Sequence, residues 1–199
     1  YQIQGVDQYF MVQSGSGAVG GGASYTISLV NTVPLALAML EVSNSPEILT
    51  PSAEPFEDLN GNGEYNQGEP YTDWNQNGQW SPIVEPIDLS EDWNIDVSFS
   101  GNNLIVGISN WDSPLEPAAN ELFKINCHVS DQAELGDEAT ISTNVRLILD
   151  AWGNSGVPYV NVDGTVTISE ALSSKNDPSQ LPLEFSLDRV HPNLSLIHI

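Results

Sequence analysis

Short segments in which apolar and polar residues alternate recur along this chain, separated by Gly, Pro, Asn and Asp. Successive side chains of a strand point to opposite faces of a sheet, so this alternation predicts strands with one buried face. Helical periodicity is almost absent. We therefore expect an all-β jelly-roll or immunoglobulin-like β-sandwich of about eight to nine strands. The predicted strands lie near residues 2–12, 24–31, 35–43, 94–100, 104–110, 121–129, 138–149 and 162–169.

The charge of the chain excludes several classes of partner. The 199 residues include 27 Asp and Glu but only 4 Lys and Arg, which gives a net charge of −23. Nucleic acids and anionic membranes are bound through Lys and Arg, so neither is expected as a partner. The longest apolar run, residues 33–40, contains Pro34 and is too short to span a bilayer.

Residues 54–86, here called the insert, do not fit the strand pattern and carry a calcium signature. Residues 58–69 match the spacing D-x-[DN]-x-[DN]-G-x₅-E at every defined position. Calcium prefers six to eight oxygen ligands, and Gly63 allows the sharp turn that brings them together. The predicted ligands of this first loop are side-chain oxygens or, at the seventh position, a backbone carbonyl, from Asp58, Asn60, Asn62, Glu64, Asn66 and Glu69.

The same pattern starts again fifteen residues later, at Asp73. The predicted ligands of this second loop are Asp73, Asn75, Asn77 and Gln79, with Ser81 as a further hydroxyl. Its twelfth position is Val84, so an obvious bidentate carboxylate is missing: either Glu69 or Glu85 serves both ions, or the second site is weak. Calcium is thus the expected cofactor of both loops.

Pro70 and Pro82 interrupt the places where helices would leave the two loops, so an EF-hand helix pair is not expected. Many of the predicted ligands are neutral Asn, which favours the weak affinity of extracellular modules, roughly 10⁻⁴–10⁻³ M. Such a site would be empty in cytosol. The insert therefore indicates an extracellular or bacterial cell-surface protein.

The order of segments resembles that of a cohesin domain, the jelly-roll β-sandwich of cellulosome scaffolds and related bacterial surface proteins. The segments that carry the resemblance are residues 24–31, 40–49, 104–109, 122–125, 136–141 and 163–168. The insert departs from the usual cohesin pattern. The resemblance implies a non-catalytic module, within residues 1–169, that binds a dockerin-type protein partner or a polysaccharide.

Residues 170–182 have the composition of a linker. The segment that follows, 183–199, resembles the start of a C-terminal sorting or anchoring region of secreted bacterial proteins, and it ends in residues without an expected function.

Two other functions compete with the protein-binding one. No His pairs with a Ser or Cys motif, and Cys127 lies among inward-facing residues of a predicted strand, so we expect no enzyme and no catalytic residues. A carbohydrate-binding module, or an adhesin domain accessory to a polysaccharide-degrading enzyme, is the stronger alternative. Its stacking residues would be drawn from Trp74, Trp80, Trp93, Trp111 and Trp152.

The third predicted strand offers a candidate partner face. If Ala38, Leu40 and Val42 point into the core, alternation places Leu35, Leu37 and Met39 on the outside. Contiguous exposed apolar side chains often mark a binding surface. The open alternative is that the insert or the N-terminal segment covers this strand.

Overall fold

The computed structural model describes residues 8–155 and 158–170, and within them it contains only strands, turns and irregular segments. None of the described residues forms a helix long and apolar enough to cross a membrane. The strands are β1 (Gln8–Gln13), β2 (Gly15–Ala18), β3 (Gly22–Asn31), β4 (Leu35–Ser45), β5 (Leu49–Pro51), β6 (Val84–Pro86), β7 (Asn94–Ser100), β8 (Asn103–Ser109), β9 (Ala119–Val129), β10 (Glu138–Asp150), β11 (Tyr159–Val162) and β12 (Gly164–Ser169).

The strands form one hydrogen-bonded sheet that curls into two layers. One layer has the order β2-β12-β10-β4-β8-β7, and the other contains β11-β1-β3-β9 with β5 and β6 on the far edge of β9. The β2–β3 hairpin joins the layers through the pair Gly17 and Ala23. The prediction of an all-β sandwich is therefore confirmed.

The core lies between the two layers and is filled by the alternate residues of each long strand. In β3, Tyr25, Ile27 and Leu29 are buried on one face, as their alternation predicts. Val166 and Ile168 of β12 are likewise buried. Burying such side chains is the main stabilising term of a sandwich of this kind, roughly 1.5–3 kcal/mol for each large aliphatic group.

The sequence did not indicate four of the strands: β2, β5, β6 and β11. Each has only three or four residues, and β2 is half glycine, so none contains enough alternation to be recognised. The predicted first strand begins at residue 2, but residues 2–7 lie outside the described part of the chain. The linker and C-terminal predictions also lie outside it, apart from residue 170.

Cys127 lies on β9 and is 2% exposed. Burial raises the pKa of its thiol to about 12. A thiol that stays protonated at neutral pH is a poor nucleophile. The prediction that Cys127 lies among the inward-facing residues of its strand is confirmed.

The insert interrupts what is in effect one edge strand. β5 and β6 both pair antiparallel with β9, with Pro51 opposite Cys127 and Val84 opposite Ile125. Between these pairs, the amide of Ser52 donates to the carbonyl oxygen of Asn126, and the backbone amide of Asn126 donates to the carbonyl oxygen of Ile83. The chain therefore leaves and rejoins the sheet at the same point, and the sandwich accommodates the insert without disturbing its core.

Candidate metal centre and partner face

The first predicted loop turns tightly around the carboxylate of Asp58. Its Oδ1 accepts a hydrogen bond from the Gly61 amide at 2.6 Å, and its Oδ2 accepts one from the Gly63 amide at 2.8 Å. These bonds, above all that from Gly63, lower the pKa of the Asp58 carboxyl below its ordinary value. The side chain is thereby held as a carboxylate, the form that binds a cation, and it loses this charge only as the pH falls through the lowered value.

The other predicted ligands of this loop follow in the same turn. The side-chain oxygen of Asn60 accepts from the amide of Asn62 at 3.0 Å, and that of Asn62 accepts from Glu64 at 2.9 Å. The Asn66 side chain donates to the carbonyl oxygen of Glu64 at 2.7 Å. The structure therefore brings all of these residues into one compact loop.

Glu69 closes the first loop from its far end. Its Oε1 accepts from the amide of Leu59 at 3.1 Å and its Oε2 from the amide of Asn66 at 2.8 Å. Glu69 is only 7% exposed. Both carboxylate oxygens thus face the loop, which is the orientation that a bidentate twelfth-position ligand requires.

The second loop repeats the backbone of the first. The Oδ2 of Asp73 accepts from the Gly78 amide at 2.8 Å, and the side-chain oxygen of Asn77 accepts from Gln79 at 2.6 Å. The φ angles of Gly63 and Gly78 are both 76°. This left-handed conformation is easily adopted only by glycine, which explains why both copies of the motif have glycine at this position.

The two residues predicted to close the second loop have side-chain partners elsewhere. Glu69 belongs to the first loop. Glu85 lies on β6, where its carboxylate forms an ion pair with Lys124 on β9. These contacts hold Glu69 at the first loop and Glu85 at Lys124, and the predicted role of either residue at the second loop stays a prediction. Glu54, which precedes the first motif, contacts the second loop: its Oε2 accepts from the Ser81 amide at 3.0 Å.

The carboxylates predicted to bind through their side chains are Asp58 and Glu69 in the first loop and Asp73 in the second, and the described residues include no cluster of three or more His, Cys, Asp or Glu that could hold a metal. The remaining oxygens come from Asn side chains and backbone carbonyls. Such a donor set lacks the sulfur and imidazole ligands of zinc or copper and suits a hard cation such as Ca²⁺. The carboxylates of Asp58 and Glu69 would balance the charge of one such ion in the first loop.

The candidate partner face differs from the prediction at one residue. Leu35 is fully buried, so its predicted place on the outside is wrong. The register between β4 and β10 shifts by one residue near Leu35, and the backbone of Leu35 bridges that of Leu115. The shift breaks the alternation, so that Leu35 and Ala36 are both buried.

The rest of the predicted face lies on the outer side of β4, β8 and β10, here called the outer face. Met39 is 37% exposed, and it lies opposite Leu147 of β10, which is 38% exposed. On its other side Met39 lies opposite Gly107 of β8, which leaves a shallow groove between Met39 and Asp96 of β7. Leu37 also lines this groove and is half-buried.

The two most exposed tryptophans lie at one end of the sandwich. Trp111 follows β8 and is 51% exposed, and Trp152 follows β10 and is 71% exposed. The loops that carry them are both hydrogen-bonded to the start of β4. The backbone amide of Asn110 donates to the carbonyl oxygen of Ala36, and the backbone amide of Ala151 donates to that of Pro34. Trp93, a further candidate for sugar stacking, is buried in the core.

Solved structures with the same fold are cohesins. A non-cellulosomal cohesin from the archaeon Archaeoglobus fulgidus superposes with a TM-score of 0.56 at 18% identity, over 83% of this chain and 93% of that one. The sixth cohesin of scaffoldin B from Acetivibrio cellulolyticus, solved in complex with a dockerin, gives 0.54 at 10% identity over 82% and 100% of the two chains. A cohesin from a Clostridium thermocellum cohesin–dockerin complex gives 0.53 at 13% identity over 81% and 99%.

The chain therefore has a cohesin-like fold. No family model matches the sequence, and neither does any curated protein.

Proposed function

We propose that this domain is a non-catalytic, extracellular or cell-surface module that binds a dockerin-type protein partner through its outer face and is stabilised by calcium in the insert. The observation that carries the proposal is the exposed pair Met39 and Leu147, which lie opposite each other on the adjacent strands β4 and β10. Exposed apolar groups on adjacent strands favour a protein partner, because their burial provides the main driving force of association.

The surroundings of the outer face indicate what kind of surface would fit it. Glu41 lies on the same side of β4, where it pairs with Arg146, and Asp96 forms the opposite wall of the groove. With a net charge of −23, the domain would attract a partner whose apolar contact residues are surrounded by Lys and Arg. Two of the cohesins of similar fold were solved with dockerins bound, which supports a protein partner of this class.

Substitutions on the outer face should weaken binding without unfolding the domain. We expect Met39→Lys and Leu37→Asp each to reduce the capture of a dockerin-type partner at least about tenfold, since the few hot-spot residues near the centre of an interface each contribute about 2 kcal/mol or more. The measurement is quantitative mass spectrometry of proteins retained from the secreted fraction by wild-type and variant domains. Leu135→Lys is a matched control, because Leu135 is 59% exposed and lies in the turn between β9 and β10, not on the outer face.

A reduction of capture by Leu135→Lys as large as that by Met39→Lys and Leu37→Asp, the two face variants, would contradict the proposal. Unfolding by both face variants, seen as a lost thermal transition, would assign Leu37 and Met39 to the core and also contradict it.

Polysaccharide binding is the second candidate function, favoured by the positions of Trp111 and Trp152 at one end of the sandwich. The strands that they follow flank β4 and therefore lie about 10 Å apart. Exposed indole rings on loops that follow such strands can stack on the sugar rings of one chain. Depletion of the wild-type domain by insoluble polysaccharide, lost in Trp111→Ala or Trp152→Ala but kept in Met39→Lys, would favour this function over the first.

A further inference from the structure

The insert is built from two copies of one unit that face each other. The first copy, residues 54–68, and the second, residues 69–83, both begin with Glu, Pro and an aromatic residue ahead of the loop aspartate. The amide of Glu57 donates to the carbonyl of Pro70 at 2.8 Å, and the amide of Thr72 donates to that of Pro55 at 2.9 Å. Residues fifteen positions apart thus exchange roles in these two bonds, so the copies are related by an approximate two-fold axis.

The aromatic residues of the insert follow the same symmetry. Tyr65 and Trp80 hold the same position in the two copies and stack with their ring centres 4.7 Å apart and their planes 14° apart. Phe56 packs edge-on against Trp80 at 6.0 Å, and its counterpart Tyr71 packs edge-on against Tyr65 at 5.8 Å. These four rings form a small core that fixes the two loops against each other.

The glutamate at the start of each copy reaches into the loop of the other copy. Glu69, which begins the second copy, binds the amides at the second and ninth positions of the first loop. Glu54, which begins the first copy, does the same in the second loop: its Oε1 accepts from the Trp74 amide at 2.9 Å and its Oε2 from the Ser81 amide at 3.0 Å. Glu54 therefore occupies the place left empty by Val84.

A separate observation points to a cation. Glu54 is 3% exposed and Glu69 is 7% exposed, and the two ion pairs found among the described residues involve neither of them. A buried carboxylate without a positive partner is costly, and hydrogen bonds from neutral amides offset only part of that cost. Glu54 and Glu69 are also the only buried glutamates among the described residues, and both point into the predicted calcium loops.

We propose that the second loop is a complete calcium site whose bidentate carboxylate is supplied by Glu54, so that each copy closes the loop of the other. This inference rests on the proposed calcium stabilisation of the module. Asp73, Asn75 and Asn77 supply side-chain oxygens, and Gln79 supplies its carbonyl. Glu54 lies outside the second motif and precedes the first, so a linear pattern that looks for a glutamate after the loop does not detect it.

The test counts the calcium ions bound to the folded domain by equilibrium dialysis at calcium concentrations spanning roughly 10⁻⁵–10⁻² M. We expect two ions for the wild type and one for Glu54→Gln, with at least a tenfold loss of affinity at the second site. Glu54→Asp, which keeps the charge but shortens the side chain, should weaken the same site. Glu85→Gln and Glu57→Gln are matched controls that should still bind two ions.

The outcomes separate this inference from the proposal on which it depends. Two ions in both Glu54→Gln and Glu54→Asp with unchanged affinity would overturn the role of Glu54. One ion in the wild type, lost in Asp58→Asn but kept in Asp73→Asn, would overturn the second site and leave calcium binding by the first intact. Binding of no ion by the wild type would instead overturn calcium stabilisation itself. Circular dichroism of each variant establishes that it is folded.

Discussion

The melting temperature of the domain should rise by about 5–10 °C when about 10 mM calcium, a hundredfold excess over a Kd of about 10⁻⁴ M, replaces EDTA. A ligand that binds only the folded state adds RT ln(1 + [L]/Kd), which is about 2.7 kcal/mol at a hundredfold excess over Kd. For a chain of this size, each kcal/mol shifts the melting temperature by about 2–4 °C. Asp58→Ala combined with Glu69→Ala should remove the contribution of the first loop, and differential scanning calorimetry measures the difference.

A matched double variant separates ion binding from a general effect of charge. Glu91→Ala with Asp92→Ala also removes two negative charges, from exposed residues in the turn before β7. It should leave the calcium-dependent rise unchanged. Identical melting curves of the wild type in calcium and in EDTA would show that calcium does not stabilise the fold.

Amide hydrogens of the insert should exchange about a hundred times faster in EDTA than in calcium, while those of β9 stay protected. The factor follows from about 2.7 kcal/mol of binding free energy acting on the local opening of the loops. Without an ion, the buried carboxylates of Glu54 and Glu69 and the nearby Asp58 and Asp73 have no cation to balance them. Exchange followed by mass spectrometry on peptides from residues 58–80 measures this factor.

The strands provide the internal control for the exchange experiment. Phe123 and Ile125 of β9 are fully buried and paired with β3 on one side and β6 on the other, so their amides report opening of the sandwich. Equal protection of the insert with and without EDTA would mean that its aromatic core alone holds it folded. A loss of protection in β9 as large as that in the insert would mean that the insert is not a separate unit.

The long strands could be predicted from the sequence because their alternation extends over many residues. β3 and β12 have the buried faces that alternation indicates, and the turn at Gly101 joins β7 and β8 as its Gly-Asn sequence suggests. Alternation fails at Leu35, because the register shift near the start of β4 depends on how β10 pairs with it. A shift of this kind is a property of two strands together and is not visible in either strand alone.

The two loops could be predicted from local spacing, whereas the carboxylate that reaches the second one from outside it could not. Asp73, Asn75 and Asn77 lie within one short segment, so their convergence follows from the turn itself. Glu54 lies nineteen residues before Asp73, and it reaches the loop only because the two copies pair face to face. The repeated Glu-Pro-aromatic segment was the available signal, since it shows that Glu54 and Glu69 hold the same position in the two copies.

Calcium titration followed by amide NMR tests most directly whether the insert is a pair of calcium sites. The amides of Gly63 and Gly78 each donate at 2.8 Å to the loop aspartate, so an ion bound to that carboxylate must change their resonances. We expect both resonances to shift and saturate, with midpoints between roughly 10⁻⁴ and 10⁻³ M calcium, while those of Phe123 and Ile125 stay in place. Gly63 and Gly78 resonances that remain unshifted up to about 10 mM calcium would contradict the assignment of both loops.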